Sequence, residues 1–217
     1  GLMEAQAREL NRGFLSRIER GRPWLRVKLA TSLDGRSAMA SGESRWISGE
    51  AARADVQQWR ARSGALMTGA GTVLADDPLL TVRLPDAGEI VPPLRVVLDP
   101  GLATVARGAV RNGDAPTLYL HAAEARRPRD LAIEHQAVPA VDGRLDLGAV
   151  LAVLGARGSN EVQLEAGATL AGAFLSAGLV DELLLYVAPV LLGERARPLF
   201  HGLQIDAMAQ RLHLRQV

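Results

Sequence analysis

The chain has 217 residues, of which 48% are hydrophobic, 23% charged and 4% aromatic, and it contains no cysteine. Without cysteine, the sequence excludes disulfide scaffolds, thiolate metal sites and cysteine nucleophiles. Lys and Arg number 25 and Asp and Glu number 24, a formal net charge of +1. The overall charge therefore gives no reason to expect a nucleic-acid or membrane-surface partner.

This length and composition predict one large domain with a hydrophobic core. No run approaches the roughly 18 apolar residues of a membrane span. The first residues, GLMEAQARELNR, are charged and helical in pattern, unlike a secretion signal. We therefore expect a soluble, cytoplasmic protein. Because the chain begins with Gly1 rather than with methionine, we also expect it to be part of a longer polypeptide.

The first elements in chain order are a helix and a strand. Residues 3–20 carry apolar side chains at helical spacing, which predicts one helix ended by Gly21-Arg22-Pro23; they are Leu10, Phe14, Leu15 and Ile18. Residues 24–33, WLRVKLATSL, alternate apolar and polar side chains, which predicts a strand ended by Asp34-Gly35.

The next segment is predicted to be a helix followed by a short strand and a turn. Ser48 is the expected N-cap of a helix that runs to about Arg62. Residues 65–67 form a short apolar run, and a glycine turn follows at 69–71. No clear helix is expected between this turn and the break at Asp76-Asp77-Pro78.

The remaining pattern alternates strands with helices. Strands are predicted at 95–98, 117–120, 161–165 and 183–187, helices at about 147–154 and 169–177, and surface loops at 85–93 and 126–129. Strands at 95–98 and 117–120 have almost no polar face, which is typical of central parallel strands. The order predicts a mostly parallel sheet covered on both faces.

Two glycine-bearing loops each follow a short buried strand. In EAGATLAG, residues 165–172, small side chains before a helix would let backbone amides approach a phosphate. The alternative is a tight turn in which Gly167 relieves strain and Gly172 allows close packing of the helix on the sheet. TGAGTVL, residues 68–74, has Leu74 where a dinucleotide fingerprint needs glycine. The two loops together still suggest one extended ligand across the carboxyl ends of adjacent strands.

A few charged residues are candidates for chemistry. Lys28 lies inside an apolar strand, where a charge is costly unless it has a partner or faces a cleft; the alternative is a lysine that points to solvent. Asp76 has a less obvious turn role than Asp77, and Arg60 and Arg83 lie beside the candidate loops, where either could bind a phosphate.

Metal and serine-hydrolase chemistry receive no support from the sequence. The four histidines, His121, His135, His201 and His213, lack the spacing of metal ligands, and no G-x-S-x-G elbow is present.

Three segments of the chain carry a combined motif pattern. They are residues 20–49, RGRPWLRVKLATSLDGRSAMASGESRWISG; residues 69–83, GAGTVLADDPLLTVR; and residues 164–193, LEAGATLAGAFLSAGLVDELLLYVAPVLLG. Together they resemble one family, the reductase domain of the bifunctional riboflavin-biosynthesis deaminase/reductase. The resemblance covers nearly the whole chain in order. It implies a dihydrofolate-reductase-like α/β fold with a mostly parallel central sheet, flanking helices and an antiparallel C-terminal edge.

The resemblance also implies an activity, the NADPH-dependent reduction of 5-amino-6-(5-phosphoribosylamino)uracil to the ribitylamino compound by hydride transfer to ribose C1′. The matching positions for NADPH are Ala30, Trp46, Thr72, Asp76, Pro100, Gly167, Ala168, Thr169, Leu170, Ala171, Gly172 and Ala173. Those for the substrate are Ser44, Arg60, Leu80, Arg83 and Glu165, with Arg60 and Arg83 on the sugar phosphate. Lys28, Asp76 and Glu165 are the candidate catalytic residues, with Lys28 as the first candidate for donating or relaying the proton.

The family further implies a homodimer and a zinc deaminase domain in the full-length protein. Residues 1–20 would be the helical lead that joins this domain to the reductase domain at 21–217. No deaminase activity is expected of this chain, because it lacks the H-x-E and P-C-x-x-C ligands.

Two departures and two alternatives accompany the resemblance. Ala166 stands where many relatives carry glycine, and the chain ends where relatives continue into a final edge strand. The alternatives are a reductase of the undeaminated diaminopyrimidine and a catalytically silent domain that binds NADPH or serves as a dimer scaffold.

Overall fold

The computed structural model describes residues 1–44, 46–85, 88–126 and 132–215. The helices are α1 Glu4–Leu10, α2 Arg12–Arg20, α3 Glu50–Arg62, α4 Ala70–Asp76, α5 Leu147–Ala156 and α6 Ala168–Ser176. The strands are β1 Trp24–Ser32, β2 Arg36–Ala38, β3 Ala65–Gly69, β4 Leu94–Leu98, β5 Thr117–Ala122, β6 Glu134–Val138, β7 Ala140–Val141, β8 Arg144–Leu145, β9 Glu161–Leu164, β10 Glu182–Ala188 and β11 Arg197–Pro198. Most of the loop predicted at 126–129 lies outside the described residues.

The architecture is a seven-stranded sheet in the order β10-β1-β9-β3-β4-β5-β6. Every neighbouring pair in it is parallel. Two small antiparallel pairs, β2 with β11 and β7 with β8, lie outside it. The predicted fold class, a mostly parallel sheet with helices on both faces and a small antiparallel edge, is confirmed.

Strand alternation divides the core into two clusters. In β3, Ala65 and Met67 belong to the larger cluster, which contains α5 and α6, whereas Leu66 belongs to a second cluster with Val73 of α4. Successive side chains point to opposite faces of a strand. Helices therefore cover both faces of the sheet, and no described helix is long and apolar enough to cross a bilayer.

Strand β1 has one apolar and one charged face. Leu25, Val27 and Leu29 lie in the larger core cluster, whereas Arg26 and Lys28 point to the opposite face, beneath α3. Arg26 is fully buried, and it donates hydrogen bonds to Glu182 and to Glu161 at 2.9 and 2.8 Å. Its guanidinium carbon lies 4.2 Å from the centre of the Trp59 ring. These partners offset the cost of removing the charge from water.

The predicted single N-terminal helix is wrong, because the chain forms two helices that meet at Asn11. The Asn11 side chain donates to the carbonyl of Ala7 at 2.8 Å, and such local bonds compete with helix continuation. Helix α2 packs through Gly13, where a Cβ would lie 2.6 Å from Cγ of Glu161. The apolar positions Leu10, Phe14 and Ile18 are exposed.

Two further expectations for helices are wrong. Gly49, not Ser48, is the N-cap of α3, and the Ser48 carbonyl instead accepts a hydrogen bond from Arg53. Helix α4 begins at Ala70, within the predicted glycine turn at 69–71, so the turn prediction and the expectation of no helix before Asp76 are both wrong. So short a helix depends on tertiary packing, which Val73 supplies within the second core cluster. Strands β2, β6, β7, β8 and β11 were not predicted.

Gly172 allows α6 to approach another segment closely. A Cβ on Gly172 would lie 2.2 Å from the carbonyl oxygen of His201, in the segment after β11. Gly172 therefore allows close packing, as the alternative interpretation of this loop expected, but against this segment rather than against the sheet.

We predict opposite effects for two glycine-to-alanine substitutions. Gly172→Ala should lower the free energy of unfolding by about 1–3 kcal/mol, because the added methyl group must displace main chain. Gly71→Ala, in α4 with open space around the Cβ position, should raise the free energy of unfolding by about 0.5 kcal/mol through helix propensity. Urea denaturation of both variants checks this. Equal free energies of unfolding for the two variants would contradict the packing described.

Candidate active site

The residues singled out from the sequence converge on the carboxyl edge of the sheet. Strands β1, β9, β3 and β4 are consecutive neighbours, and loops or helices that follow β9, β3 and β4 carry Glu165, Thr72 and Pro100. The prediction that both glycine loops follow adjacent strands is confirmed, because β3 pairs directly with β9. Ligands of open parallel sheets bind at this edge.

The centre of the site is an ion pair between Arg60 of α3 and Glu165 after β9. Arg60 Nε donates to Glu165 Oε1 at 2.6 Å and Nη2 donates to Oε2 at 2.8 Å, in a two-point arrangement. The side chains are 10% and 13% exposed, so solvent weakens the pair little. Burial opposes ionisation of Glu165, but the hydrogen bonds and charge of Arg60 keep the pKa of Glu165 below its ordinary value.

Neighbouring side chains hold Glu165 on both its main chain and its carboxylate. Thr68 donates to the carbonyl of Glu165 at 2.8 Å, and the amide of Glu165 donates to the carbonyl of Met67 at 2.9 Å. Gln163 Nε2 donates to Glu165 Oε1 at 2.9 Å. The carboxylate is therefore fixed from β3, β9 and α3 at once.

Lys28 lies beside this pair and is the single lysine of the sequence. It forms no salt bridge with the described residues, but the charges of Glu165 and Arg60 both act on it. Burial lowers the pKa of Lys28, Glu165 opposes this shift, and Arg60 adds to it. The alternative of a lysine that points to solvent is wrong, because the side chain is partly buried beneath α3. Its ammonium nitrogen lies 5.9 Å from the centre of the Tyr186 ring.

Tyr186 and Asp55 join the edge strand β10 to α3 beside Lys28. The Tyr186 hydroxyl donates to Asp55 Oδ2 at 2.6 Å, and the Trp59 indole donates to the same oxygen at 3.1 Å. Burial and this hydrogen bond raise the pKa of Tyr186, so the hydroxyl keeps its proton at neutral pH. The contact closes one wall of the site.

The loop after α4 borders the site on the other side. Arg60 Nη1 donates to the carbonyl of Thr81 at 2.9 Å, and the amide of Arg83 donates to Gln57 of α3 at 2.8 Å. The Arg83 side chain is exposed, whereas Leu80 is 2% exposed and lies in the second core cluster. A ligand could therefore reach Arg83 through its guanidinium but Leu80 only through its main chain.

The N-terminus of α6 is open to an anion. Gly167 is the N-cap, no side chain caps the first turn, and a Cβ on Gly167 would meet nothing within 4 Å. Leu170 lies against the start of α4, 3.1 Å from the Cβ position of Gly69. Unpaired helix amides and a positive helix end favour phosphate groups, so these loops fit the pyrophosphate of a dinucleotide.

Three other predicted ligand-contacting residues, Ser44, Trp46 and Asp76, lie next to α3 or at the end of α4. Trp46 is 71% exposed, and the guanidinium carbon of Arg53 lies 4.7 Å from the centre of its ring. Asp76 is exposed at the C-terminus of α4, and Ser44 precedes α3.

Sequence reasoning missed Gln163, Asp55 and Tyr186. Gln163 lies two residues before Glu165, and the strand period of two places both side chains on one face. That signal was available in the sequence. Asp55 and Tyr186 are 131 residues apart, and no local pattern connects them.

Comparisons with known proteins agree with this geometry. The family model described as RibD C-terminal domain matches residues 23–217. The riboflavin biosynthesis protein RibD of Escherichia coli K12 is 41% identical over 229 residues, which cover 100% of this chain and 62% of that protein. The 2,5-diamino-6-ribosylamino-4(3H)-pyrimidinone 5′-phosphate reductase of Methanothermobacter thermautotrophicus is 39% identical, covering 89% of this chain and 90% of that protein.

A solved structure shows the same fold. RibD of Acinetobacter baumannii superposes with a TM-score of 0.83 and 40% identity, covering 98% of this chain and 58% of that chain. The chain thus spans about three fifths of these RibD relatives. The region that the family model matches contains the whole seven-stranded sheet and every candidate site residue, and the chain belongs to the RibD C-terminal domain family.

Proposed function

We propose that the chain is an NADPH-dependent oxidoreductase that reduces 5-amino-6-(5-phosphoribosylamino)uracil at ribose C1′. The observation that carries this proposal is the largely buried cluster of Lys28, Glu165 and Arg60 at the carboxyl edge of the sheet that also holds the uncapped N-terminus of α6, in a chain of the RibD C-terminal domain family. The archaeal relative's name describes a reductase of a ribosylamino phosphate. Both partners of a hydride transfer, a dinucleotide and a sugar phosphate, would have places at one sheet edge.

The cofactor side of the site is assigned to the two glycine loops. Residues 167–173 of the α6 turn would hold the pyrophosphate, with Ala30, Trp46, Thr72, Asp76 and Pro100 around the rest of the molecule. When bound, NADPH supplies the hydride. The chain's own task is to fix the reacting atoms about 3–3.5 Å apart and to exclude water from between them.

The substrate side is assigned to α3, the loop after α4 and Glu165. Arg83 has an exposed guanidinium suited to a phosphate. Arg60 donates hydrogen bonds from three of its five N–H groups, two to Glu165 and one to the Thr81 carbonyl. Two remain for the sugar phosphate while the ion pair stays intact. Ser44 and the main chain of Leu80 complete this side.

Lys28 is assigned as the proton donor. Opening the ribosylamine ring leaves a C1′–nitrogen double bond, and hydride at C1′ requires a proton on the nitrogen. Arg60 keeps Glu165 ionised, which makes Glu165 a poor donor, whereas burial brings the pKa of Lys28 down toward the working range. These pKa shifts support Lys28 over Glu165 as the proton donor.

A second candidate substrate is the undeaminated diaminopyrimidine. The observation that favours it is the archaeal relative, whose name states that substrate and of which the chain covers 90%. A third possibility is a catalytically silent domain that binds NADPH. The turnover assay described below tests this possibility as well.

Residues 1–20 are assigned to a junction with a deaminase domain. Helices α1 and α2 lie outside the matched region, and their exposed apolar side chains are available to another domain. We also propose that the protein forms a homodimer and is located in the cytoplasm.

The first prediction from this proposal concerns turnover. The purified chain should consume NADPH, measured by loss of its absorbance band, when 5-amino-6-(5-phosphoribosylamino)uracil is added, with a product heavier by two hydrogens. NADH and the diaminopyrimidine substrate serve as parallel assays. Turnover of the diaminopyrimidine alone would establish the second substrate, and no turnover with either would support the silent domain.

The second prediction concerns Lys28. Lys28→Met should lower kcat by about 100-fold or more at saturating substrate, as expected for loss of a general acid. Lys28→Arg should be similarly slow, because arginine keeps its charge but does not release its proton. In the wild type, kcat should fall as pH rises through the lowered pKa of Lys28, below its ordinary value of 10.5. Near-normal turnover of Lys28→Met would exclude this role.

The third prediction concerns Arg83. Arg83→Ala should raise KM for the pyrimidine substrate by about 10- to 100-fold, with KM for NADPH changed by less than about twofold, because only the sugar phosphate loses a charged partner. Arg144→Ala, an exposed arginine in β8, is the matched control and should change neither constant. An equal rise in both constants for Arg83→Ala would contradict the assignment.

A further inference from the structure

Gln163 is a buried polar residue that the proposed mechanism does not use. Its side chain points to the charged face of the sheet, beneath α3, and the residue is 0% exposed. Its Cα is in register with Arg26 on one side and with Leu66 on the other. A glutamine in such a position is costly unless its amide has a specific partner.

That partner is the Glu165 carboxylate. Gln163 Nε2 donates to Oε1 at 2.9 Å, and Arg60 Nε donates to the same oxygen at 2.6 Å. Oε2 accepts one bond from the described residues, that of Arg60 Nη2 at 2.8 Å. A carboxylate oxygen has two in-plane acceptor directions. Oε1 is therefore saturated, whereas Oε2 keeps one direction for a further donor.

The amide oxygen of Gln163 contributes little to the fold. Oε1 of Gln163 is buried and accepts no hydrogen bond from the described residues. The hydrogen bond that the Gln163 side chain makes among the described residues is therefore the one to Glu165.

We infer that Gln163 is a positioning residue, which with Arg60 saturates Oε1 of Glu165 and leaves Oε2 as the oxygen that accepts a hydroxyl or amino donor of the substrate. This inference rests on the proposed function for the identity of that donor, but the Gln163–Glu165 contact stands on the structure alone. Gln163 acts through Glu165 and touches no reacting atom.

The test replaces Gln163 with a residue of similar side-chain volume that has no amide group. Gln163→Met removes the donor, and it should fold because the lost amide oxygen had no partner. Gln163→Leu is the second variant should the methionine side chain not fit. Thr117→Val is the matched control, because at the start of β5 it removes two buried hydrogen bonds that involve neither Gln163 nor Glu165. Thr117 donates one to the Val110 carbonyl and accepts the other from Arg95 Nε.

The first readout does not depend on activity. In protein labelled with 13C at glutamate carboxyls, with the Glu165 signal identified by its loss in Glu165→Gln, the pKa of Glu165 should rise by about one unit in Gln163→Met. It should not change in Thr117→Val. An unchanged Glu165 titration in a folded Gln163→Met variant would overturn the inference, even if the chain had no reductase activity.

The second readout separates positioning from general destabilisation. Gln163→Met should raise KM for the pyrimidine substrate by about 3- to 10-fold and leave KM for NADPH unchanged. In the Glu165→Gln background it should have no further effect, because the two residues act as one unit. The dissociation constant for the pyrimidine substrate, measured by calorimetry, should show the same pattern in a chain without turnover. Equal effects in both backgrounds would overturn the role through Glu165.

Discussion

The bidentate ion pair between Arg60 and Glu165 is the interaction on which the candidate active site depends. It joins α3 to the end of β9 across the charged face of the sheet. Buried ion pairs add little net stability, because desolvation offsets attraction, but loss of one partner leaves a buried charge uncompensated. The pair therefore specifies one arrangement of α3 over the sheet, and the ionised Glu165 in turn holds a charge beside Lys28.

That arrangement explains why the charged face of β1 is tolerated. Arg26 is neutralised by Glu161 and Glu182 and stacks on Trp59 of α3, so the same helix covers both buried cations of the strand. Of these two cations, Arg26 forms salt bridges with Glu161 and Glu182, and Lys28 forms none with the described residues. Burial and the charge of Arg60 disfavour the ammonium form of Lys28, and the ionised Glu165 opposes them. A cation beside an ordered carboxylate is suited to proton transfer.

Much of the fold could be predicted from local patterns, and the failures have identifiable causes. Apolar runs located β3, β4 and β5, because buried parallel strands carry few polar side chains. The break between α1 and α2 was missed because it depends on a hydrogen bond from the Asn11 side chain. The N-cap of α3 was missed because it is a glycine, Gly49, without a side-chain cap. Helix α4 was missed because its stability comes from Val73 in the core rather than from propensity.

The sequence by itself determined the family, the central parallel strands and which charged residues are candidates, because motif spacing and strand periodicity are local properties of a chain. Only the tertiary structure decided how those residues are paired. Arg60 and Glu165 are 105 residues apart and Tyr186 and Asp55 are 131 apart, so their contacts follow from strand order and from α3 crossing the sheet. The same long-range packing directs two donors to Oε1 of Glu165 and leaves Oε2 open, because hydrogen-bond geometry depends on where side chains meet in space.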